Sequence, residues 1–303
     1  MSASLSRRRA VTLVAATPLL VRCAFDPGAI RVGSKNFTES FVIAEIYAQA
    51  LEAAGLRVER IFNLGSTQIA IAAMQRGNID LYPEYTGTAL IDVLHLAPIA
   101  NPSAAYAVVS KLFRQHYGIV WLTPSPMNDS QALATTREIA ARYRLSTLSE
   151  VSRAAPALRL ATIQEFLARP DGLPGLQRFY GGFHFREVRT YDIALKYRAL
   201  LEGKADVSSA FTTDGEVATD ALLILRDDRH FWSAYNVAPV IRAATLAARP
   251  EIGRVLDTVS PKITNGAVQA MNATIENDQA DPADVAAKFL AFDKLRTKSE
   301  MTR

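Results

Sequence analysis

Ile79-Asp80-Leu81-Tyr82-Pro83-Glu84-Tyr85-Thr86-Gly87-Thr88 is the stretch on which the reading of the chain turns. It opens as a buried strand and then breaks, because Pro83 removes a ladder donor and Gly87 permits a backbone turn that other residues resist. Two tyrosines, a carboxylate and two threonines crowd that break. A strand end needs no such chemistry, whereas a ligand site at the carboxyl edge of a sheet does. Composition alone leaves a second reading open, a solvated strand-to-helix turn with Thr88 as N-cap.

The neighbouring elements supply the fold class. Upstream, Ile30–Gly33 reads as a strand, and residues 39–54 form a helix with Phe41, Ile43, Ile46, Tyr47, Ala50 and Leu51 mostly at helical spacing and Gly55 as its stop. Leu56–Leu64 reads as a strand, Gln68–Arg76 as a helix ended by Gly77, and Ile79–Tyr82 as the next strand. That order is βαβαβ, the pattern of an open parallel sheet with helices on both faces. A helix at 103–117 and a strand at 119–122 continue it. After Pro124 and Pro126 the pattern restarts, with helices near 137–143 and 147–154, a strand at Leu158–Thr162 and an interrupted helix over 164–180. A strand at 185–189, a helix at Ile193–Leu201 and strands at Ala205–Phe211 and Leu222–Leu225 follow. From Tyr235 the chain gives one strand and three helices, near 250–258, 265–277 and 282–294.

Residues 1–23 read as a signal segment, with Ser6-Arg7-Arg8-Arg9 as the positive end and Ala10 to Val21 as an apolar run too short to span a bilayer. Cys23, the only cysteine, stands where a lipid-anchor cysteine would, although Arg22 occupies the position that such a cleavage site gives to a small residue. The segment holds four arginines and no acid, so most of the net charge of +4 belongs to it. What remains is close to neutral and says little for a nucleic-acid partner. With no second cysteine there is no internal disulfide. The mature length, in a chain 49% apolar, is enough for two domains.

Catalytic and metal signatures are sparse. His95, His116, His184 and His230 lie far apart and no H-E-x-x-H occurs, so no metal spacing stands out. Neither a phosphate-binding loop nor a dinucleotide fingerprint is present, and no nucleophile elbow suggests a catalytic triad. No catalytic residue, metal or cofactor is expected.

Four further stretches change the balance: Gly33-Ser34-Lys35-Asn36-Phe37-Thr38-Glu39, Thr212-Thr213-Asp214-Gly215, and the late blocks Asp227-Asp228-Arg229-His230-Phe231-Trp232 and Ala238-Pro239-Val240. Together with Asp80 to Thr88, and in this order over about Ile30 to Leu290, they resemble the substrate-binding proteins of ABC importers for osmoprotectants such as glycine betaine, choline and carnitine. The resemblance implies a type II periplasmic-binding-protein fold, two α/β lobes with the ligand cleft between them. It divides the chain into residues 30–127 plus 235–303 and residues 128–234. It also implies a periplasmic location, a membrane permease as partner, a small quaternary ammonium solute, and a chain acting as a monomer.

A quaternary ammonium donates no hydrogen bond, so it is held by ring faces and desolvation at roughly 0.5–2 kcal/mol per ring. The resemblance places cage aromatics at Tyr85, Phe211 and Tyr235, and contacts to a ligand carboxylate at Lys35, Thr88 and Arg169. Asp129 and Gln131, in Asn128-Asp129-Ser130-Gln131-Ala132-Leu133, complete the implied site. Here the chain departs from the family: Gln131 stands where members with a full cage carry an aromatic, and Phe211 where tyrosine is common. That keeps a second solute class open, a different small amine or amino-acid-like molecule. Without the family, Tyr235 and Phe211 read as core aromatics, Lys35 and Arg169 as solvated surface, Tyr82 as core and Asp214 as a helix cap or hinge residue. Two rival classes fit less well. A deaminase on the same fold needs a cofactor-bearing cysteine, and a transcription regulator needs an N-terminal helix-turn-helix.

Overall fold

The computed structural model describes residues 28–300 except 194, 219, 220 and 233. The signal segment and Cys23 lie outside the described residues. Among these residues the strands are β1 (Ile30–Gly33), β2 (Val58–Ile61), β3 (Leu81–Tyr85), β4 (Ile119–Trp121), β5 (Gln131–Thr136), β6 (Arg159–Thr162), β7 (Glu187–Thr190), β8 (Val207–Phe211), β9 (Leu222–Leu225) and β10 (Val237–Arg242). They form two five-stranded sheets, ordered β2-β1-β3-β10-β4 and β7-β6-β8-β5-β9. Each has helices packed on it and its own apolar core.

The βαβαβ reading holds for β1, β2 and β3, which pair in parallel. The first sheet as a whole is mixed rather than parallel, because β10 runs antiparallel to both β3 and β4. That strand arrives from the second half through Tyr235 and Asn236 rather than over a helical crossover, so nothing constrains it to be parallel.

Two expectations at the opening stretch are corrected. The strand does not end before Pro83; it runs to Tyr85, with Pro83 opposite Pro239 of β10. The Pro239 carbonyl accepts from Leu122 N on the side of β4. In a strand the nitrogen of a residue faces the same side as its carbonyl, so neither ring removes a bond from the β3–β10 ladder. Gly87 is not a left-handed turn either, since it lies within a single helical turn, Thr86–Thr88, that runs into a π-helical turn at Ala89–Val93. Its lack of a side chain serves packing, because a Cβ there would sit 2.6 Å from the Tyr235 ring. Thr88 falls inside this turn and is not its N-cap.

The sequence pattern gives no sign of β5. It lies between β8 and β9 and is buried on both faces, so Gln131-Ala132-Leu133-Ala134-Thr135-Thr136 shows no alternation to read. A short helix at Ala243–Ala248 is likewise additional to the expected elements.

The two halves repeat one construction. In the first, Arg31 of β1 binds Asp80 just before β3, with Nε to Oδ2 at 3.0 Å, Nη2 to Oδ1 at 3.1 Å and the Arg31 backbone N to Oδ2 at 3.0 Å. In the second, Arg159 of β6 binds Asp206 just before β8 through the same three donors at 2.8–2.9 Å. Burial alone would raise both carboxyls, but the arginine bonds outweigh it and hold each below its usual range. Both arginine–aspartate forks clamp the parallel strand pair whose carboxyl ends face the cleft. The helix Thr38–Ala53 is buried almost all round, between the first sheet and the helices Glu251–Val259, Asn265–Asp278 and Pro282–Glu300.

Candidate ligand-binding cleft

The strand ends of the two halves line a cleft of about 1440 Å³. From the first half come Lys35, Phe37 and Glu39 after β1, and Tyr85 and Thr88 at the end of β3. From the second come Arg169 after β6, Phe211, Thr213 and Asp214 at the end of β8, and Asp129 and Gln131 at the start of the antiparallel β5. Tyr235, from the crossing segment, and Asn272, from the helix Asn265–Asp278, close the floor. All eight residues expected from sequence therefore line one cleft, at the strand edges where α/β sheets place their ligands.

Their surroundings differ from the simple expectation. Lys35 is not solvated: it is buried, with Nζ 2.8 Å from Glu84 Oε1 and 3.3 Å from Thr67 Oγ1. The ammonium stands 4.6 Å from the Tyr85 ring centroid and 5.5 Å from that of Phe37. Glu84, 0% exposed, also accepts from Tyr82 Oη and Tyr85 N, each at 2.8 Å. One of the three ammonium donors of Lys35 remains for a ligand. Tyr82 is core, as expected.

Arg169 is committed as well. Its Nε and Nη2 hold Asp171 at 2.8 and 2.9 Å, and Nη1 reaches Asp92, on the π-helical turn of the first half, at 2.6 Å. The pair with Asp92 ties one half of the molecule to the other. Tyr235 donates its hydroxyl to Asp171, and its ring lies against Gly87. Phe211 faces Gln131 across the β5–β8 ladder, which sets the amide beside a ring.

Asp214 is corrected from cap to clamp. Its carboxylate accepts from Lys196 Nζ at 3.0 Å, from Tyr197 Oη and from Phe211 N at 3.0 Å, and it lines the cleft. The Lys196 ammonium lies 4.0 Å from the Tyr197 ring centroid and 5.6 Å from that of Phe211. Gly215 permits this turn to approach the helix Asn265–Asp278, where a Cβ would fall 2.6 Å from Ala273 N.

Sequence reasoning missed Glu39. It sits in the first turn of its helix, where an acid reads as complementing the helix dipole. It is instead buried at the cleft floor, accepting from Tyr85 Oη at 2.6 Å and Asn272 Nδ2 at 3.2 Å. Burial pushes its carboxyl up to about 7, against the hydrogen bonds from Thr213, Tyr85 and Asn272, with the Asp214 charge adding to the rise. Asp129, bonded by Thr213 Oγ1 at 2.6 Å, is raised well above the carboxylate range by burial and by the charge of Glu39. With Lys35 and Lys196 held by Glu84 and Asp214, no ion pair is made to either carboxyl among the described residues. An acidic floor beside aromatic rings suits a cation and disfavours an anion. No group of three or more His, Cys, Asp or Glu side chains among the described residues is placed to hold a metal ion.

Two sheets presenting their strand ends and an acidic floor to one cleft define a solute-binding protein of two lobes. The family model described as the substrate binding domain of ABC-type glycine betaine transport system matches residues 28–291, and the chain belongs to that family. It is 34% identical over 272 residues to a glycine-betaine-binding protein of Pseudomonas aeruginosa, covering 86% of each chain. It is 30% identical over 292 residues to the glycine betaine-binding protein YehZ of Escherichia coli, covering 92% of this chain and 94% of that one. Among solved structures, one described as a glycine betaine/carnitine/choline ABC transporter superposes with a TM-score of 0.79 at 28% identity, over 86% of this chain and 97% of the other. The type II binding-protein fold read from the sequence is thus the observed one, and the chain is the substrate-binding component of a transport system.

Proposed function

We propose that the cleft takes up a quaternary-ammonium osmoprotectant and presents it to a membrane permease. The observation that carries this reading is the lining of one cleft by Tyr85, Phe211 and Tyr235 beside two acids, Glu39 and Asp129, that make no ion pair among the described residues. The rings hold a methylated head by their faces, and the floor supplies the charge that such a head needs once it leaves water. Lys35, Thr88 and Arg169 serve a ligand carboxylate, Lys35 through its remaining donor. In this reading the lobes comprise residues 30–127 with 235–303, and residues 128–234, and they close by hinging about the segments that cross between them. The protein works as a single chain outside the cytoplasm, delivered by its N-terminal 23 residues.

A specific observation favours a second reading of the solute. Gln131 brings an amide to the place opposite Phe211, so one wall of the cage carries a hydrogen-bonding group instead of a ring. A solute with a polar group within reach of that amide gains about 1 kcal/mol that glycine betaine forgoes.

The test is a thermal-shift screen of the protein lacking residues 1–23 against glycine betaine, choline, carnitine and common amino acids, followed by calorimetry of the best binder. Tyr85→Ala weakens a cationic ligand about 5–30-fold, from ~1–2 kcal/mol for one desolvated ring. Unchanged affinity with a large loss of stability would make Tyr85 core rather than cage. N-terminal sequencing of protein from its host tests the location, and an intact Met1 in cytosolic protein would contradict it.

A further inference from the structure

Asn272 is 3% exposed, lines the cleft, and carries one polar atom with no partner, its Oδ1. The amide cannot be turned round to cure this. Its Nδ2 donates to Glu39 Oε2 at 3.2 Å and to Thr213 O at 2.9 Å, and the Thr213 carbonyl can only accept. Oδ1 therefore stays an acceptor.

Once a bound cation draws Glu39 and Asp129 into their ionised forms, the groups around that oxygen accept as well. Glu39 and Asp129 share the hydroxyl of Thr213, which has one proton to give and bonds Asp129 Oδ1 at 2.6 Å. Tyr85 spends its only hydroxyl proton on Glu39. The nearby ammonium groups are drawn to other acids, Lys35 to Glu84 and Lys196 to Asp214, and neither is bonded to the Asn272 oxygen. With both acids ionised, Glu39, Asp129 and Asn272 thus bring more acceptor capacity to the cleft floor than the protein supplies with donors. While the cleft is open, water can serve these acceptors. Once the lobes shut on a solute, the donors must come from the solute or from water trapped with it.

A fully methylated ammonium has no N–H to give, and an ammonium with one methyl fewer has one. We infer that Glu39, Asp129 and Asn272 form a recognition subsite for an ammonium that keeps at least one N–H, so that a partly methylated head is held more tightly than the quaternary one. The inference rests on the proposed reading that the cleft holds a cationic head, and it adds which cation the floor prefers. The same rings serve both heads, because a ring face attracts either cation. Only the N–H can make a charge-assisted hydrogen bond to the floor.

The glycine series isolates this feature, since glycine, N-methylglycine, N,N-dimethylglycine and glycine betaine keep one carboxylate and exchange N–H for methyl stepwise. Calorimetric titration of the wild-type protein lacking residues 1–23 with all four reads it directly. N,N-dimethylglycine is expected to bind about ten-fold more tightly than glycine betaine, the worth of one hydrogen bond to a charged group. Asp129→Asn, which keeps the acceptor facing Thr213 but removes the charge, is expected to bring the two ligands within about two-fold of each other. Equal or tighter binding of glycine betaine by the wild type overturns the inference and leaves the proposed function standing, with trapped water serving the floor. Binding of none of the four, nor of choline or carnitine in the same assay, overturns the proposed function and the inference with it. A preference for N,N-dimethylglycine that persists unchanged in a folded Asp129→Asn protein also overturns the assignment to this cluster.

Discussion

Glu39→Gln separates what the cleft floor does for binding from what it costs in stability. In the unliganded protein burial lifts the Glu39 carboxyl from 4.5 to about 7. At about 1.4 kcal/mol per pH unit, that gap is worth roughly 3 kcal/mol. Its direction follows from proton counting. Between those two values the folded protein holds a proton that the unfolded chain has lost, so stability falls as pH rises through the window and stays low above it. Below about 4.5 both states are protonated and the penalty vanishes. Glutamine cannot ionise, and the site accommodates it: Oε1 can take the Asn272 Nδ2 bond while Nε2 donates to Tyr85 Oη. Urea unfolding of both proteins without ligand should therefore show the variant gaining about 1–3 kcal/mol on the wild type between pH 5 and pH 8. At pH 8 the variant should bind its cation at least ten-fold more weakly. A stability difference between the two proteins that is the same at pH 5 and pH 8 would refute the placing of an ionisable, uncompensated carboxyl at the floor.

Other substitutions probe the walls. Gln131→Tyr should strengthen glycine betaine by roughly 0.5–2 kcal/mol and cost the solute best bound by the wild type about 1 kcal/mol; paired titrations unchanged for both solutes would show that position 131 does not face the ligand. Gly87→Ala puts a Cβ 2.6 Å from the Tyr235 ring; the displaced ring should cost about 1–3 kcal/mol, measured together as ligand affinity and as unfolding free energy. If affinity is untouched, Tyr235 is not a wall of the site. Asp92→Asn removes the charge that joins Arg169 to the first half across 2.6 Å. Because both side chains are about a quarter exposed, the loss should be no more than ~1 kcal/mol, seen as a few-fold weaker binding whose difference from wild type shrinks in high salt.

The first βαβαβ unit was legible because its helices end in glycine and its strands carry apolar runs. What escaped had physical reasons. The small, doubly buried residues of β5 leave no period of two to detect. The direction of β10 depends on where the chain comes from, which no local pattern encodes. The duplication of the halves is written in two arginine–aspartate pairs, Arg31 with Asp80 and Arg159 with Asp206, 49 and 47 residues apart, and not in any repeated motif. At the cleft, the family resemblance put all eight expected residues in one place. It did not disclose that Lys35 and Arg169 come already paired, because their partners Glu84, Asp92 and Asp171 are not marked by spacing. Glu39 and Asp214 were misplaced or passed over because an acid beside a helix start looks alike whether it faces solvent or a buried floor.

Tyr235 bears on how occupancy could be felt at a distance. Its backbone N donates to Asn128 Oδ1 at 2.6 Å and its carbonyl accepts from Asp129 N at 3.2 Å, so it is bonded into the other strand of the crossing. Its ring rests on Gly87 of the first half, and its hydroxyl is held by Asp171 of the second. A side chain rooted in the fulcrum and gripped at its tip behaves as a lever. If the lobes hinge as proposed, a solute pressing on the ring acts on the pivot directly. On that reading sensitivity to cargo and freedom to swing meet in one residue, and loosening either end of it should blunt both at once.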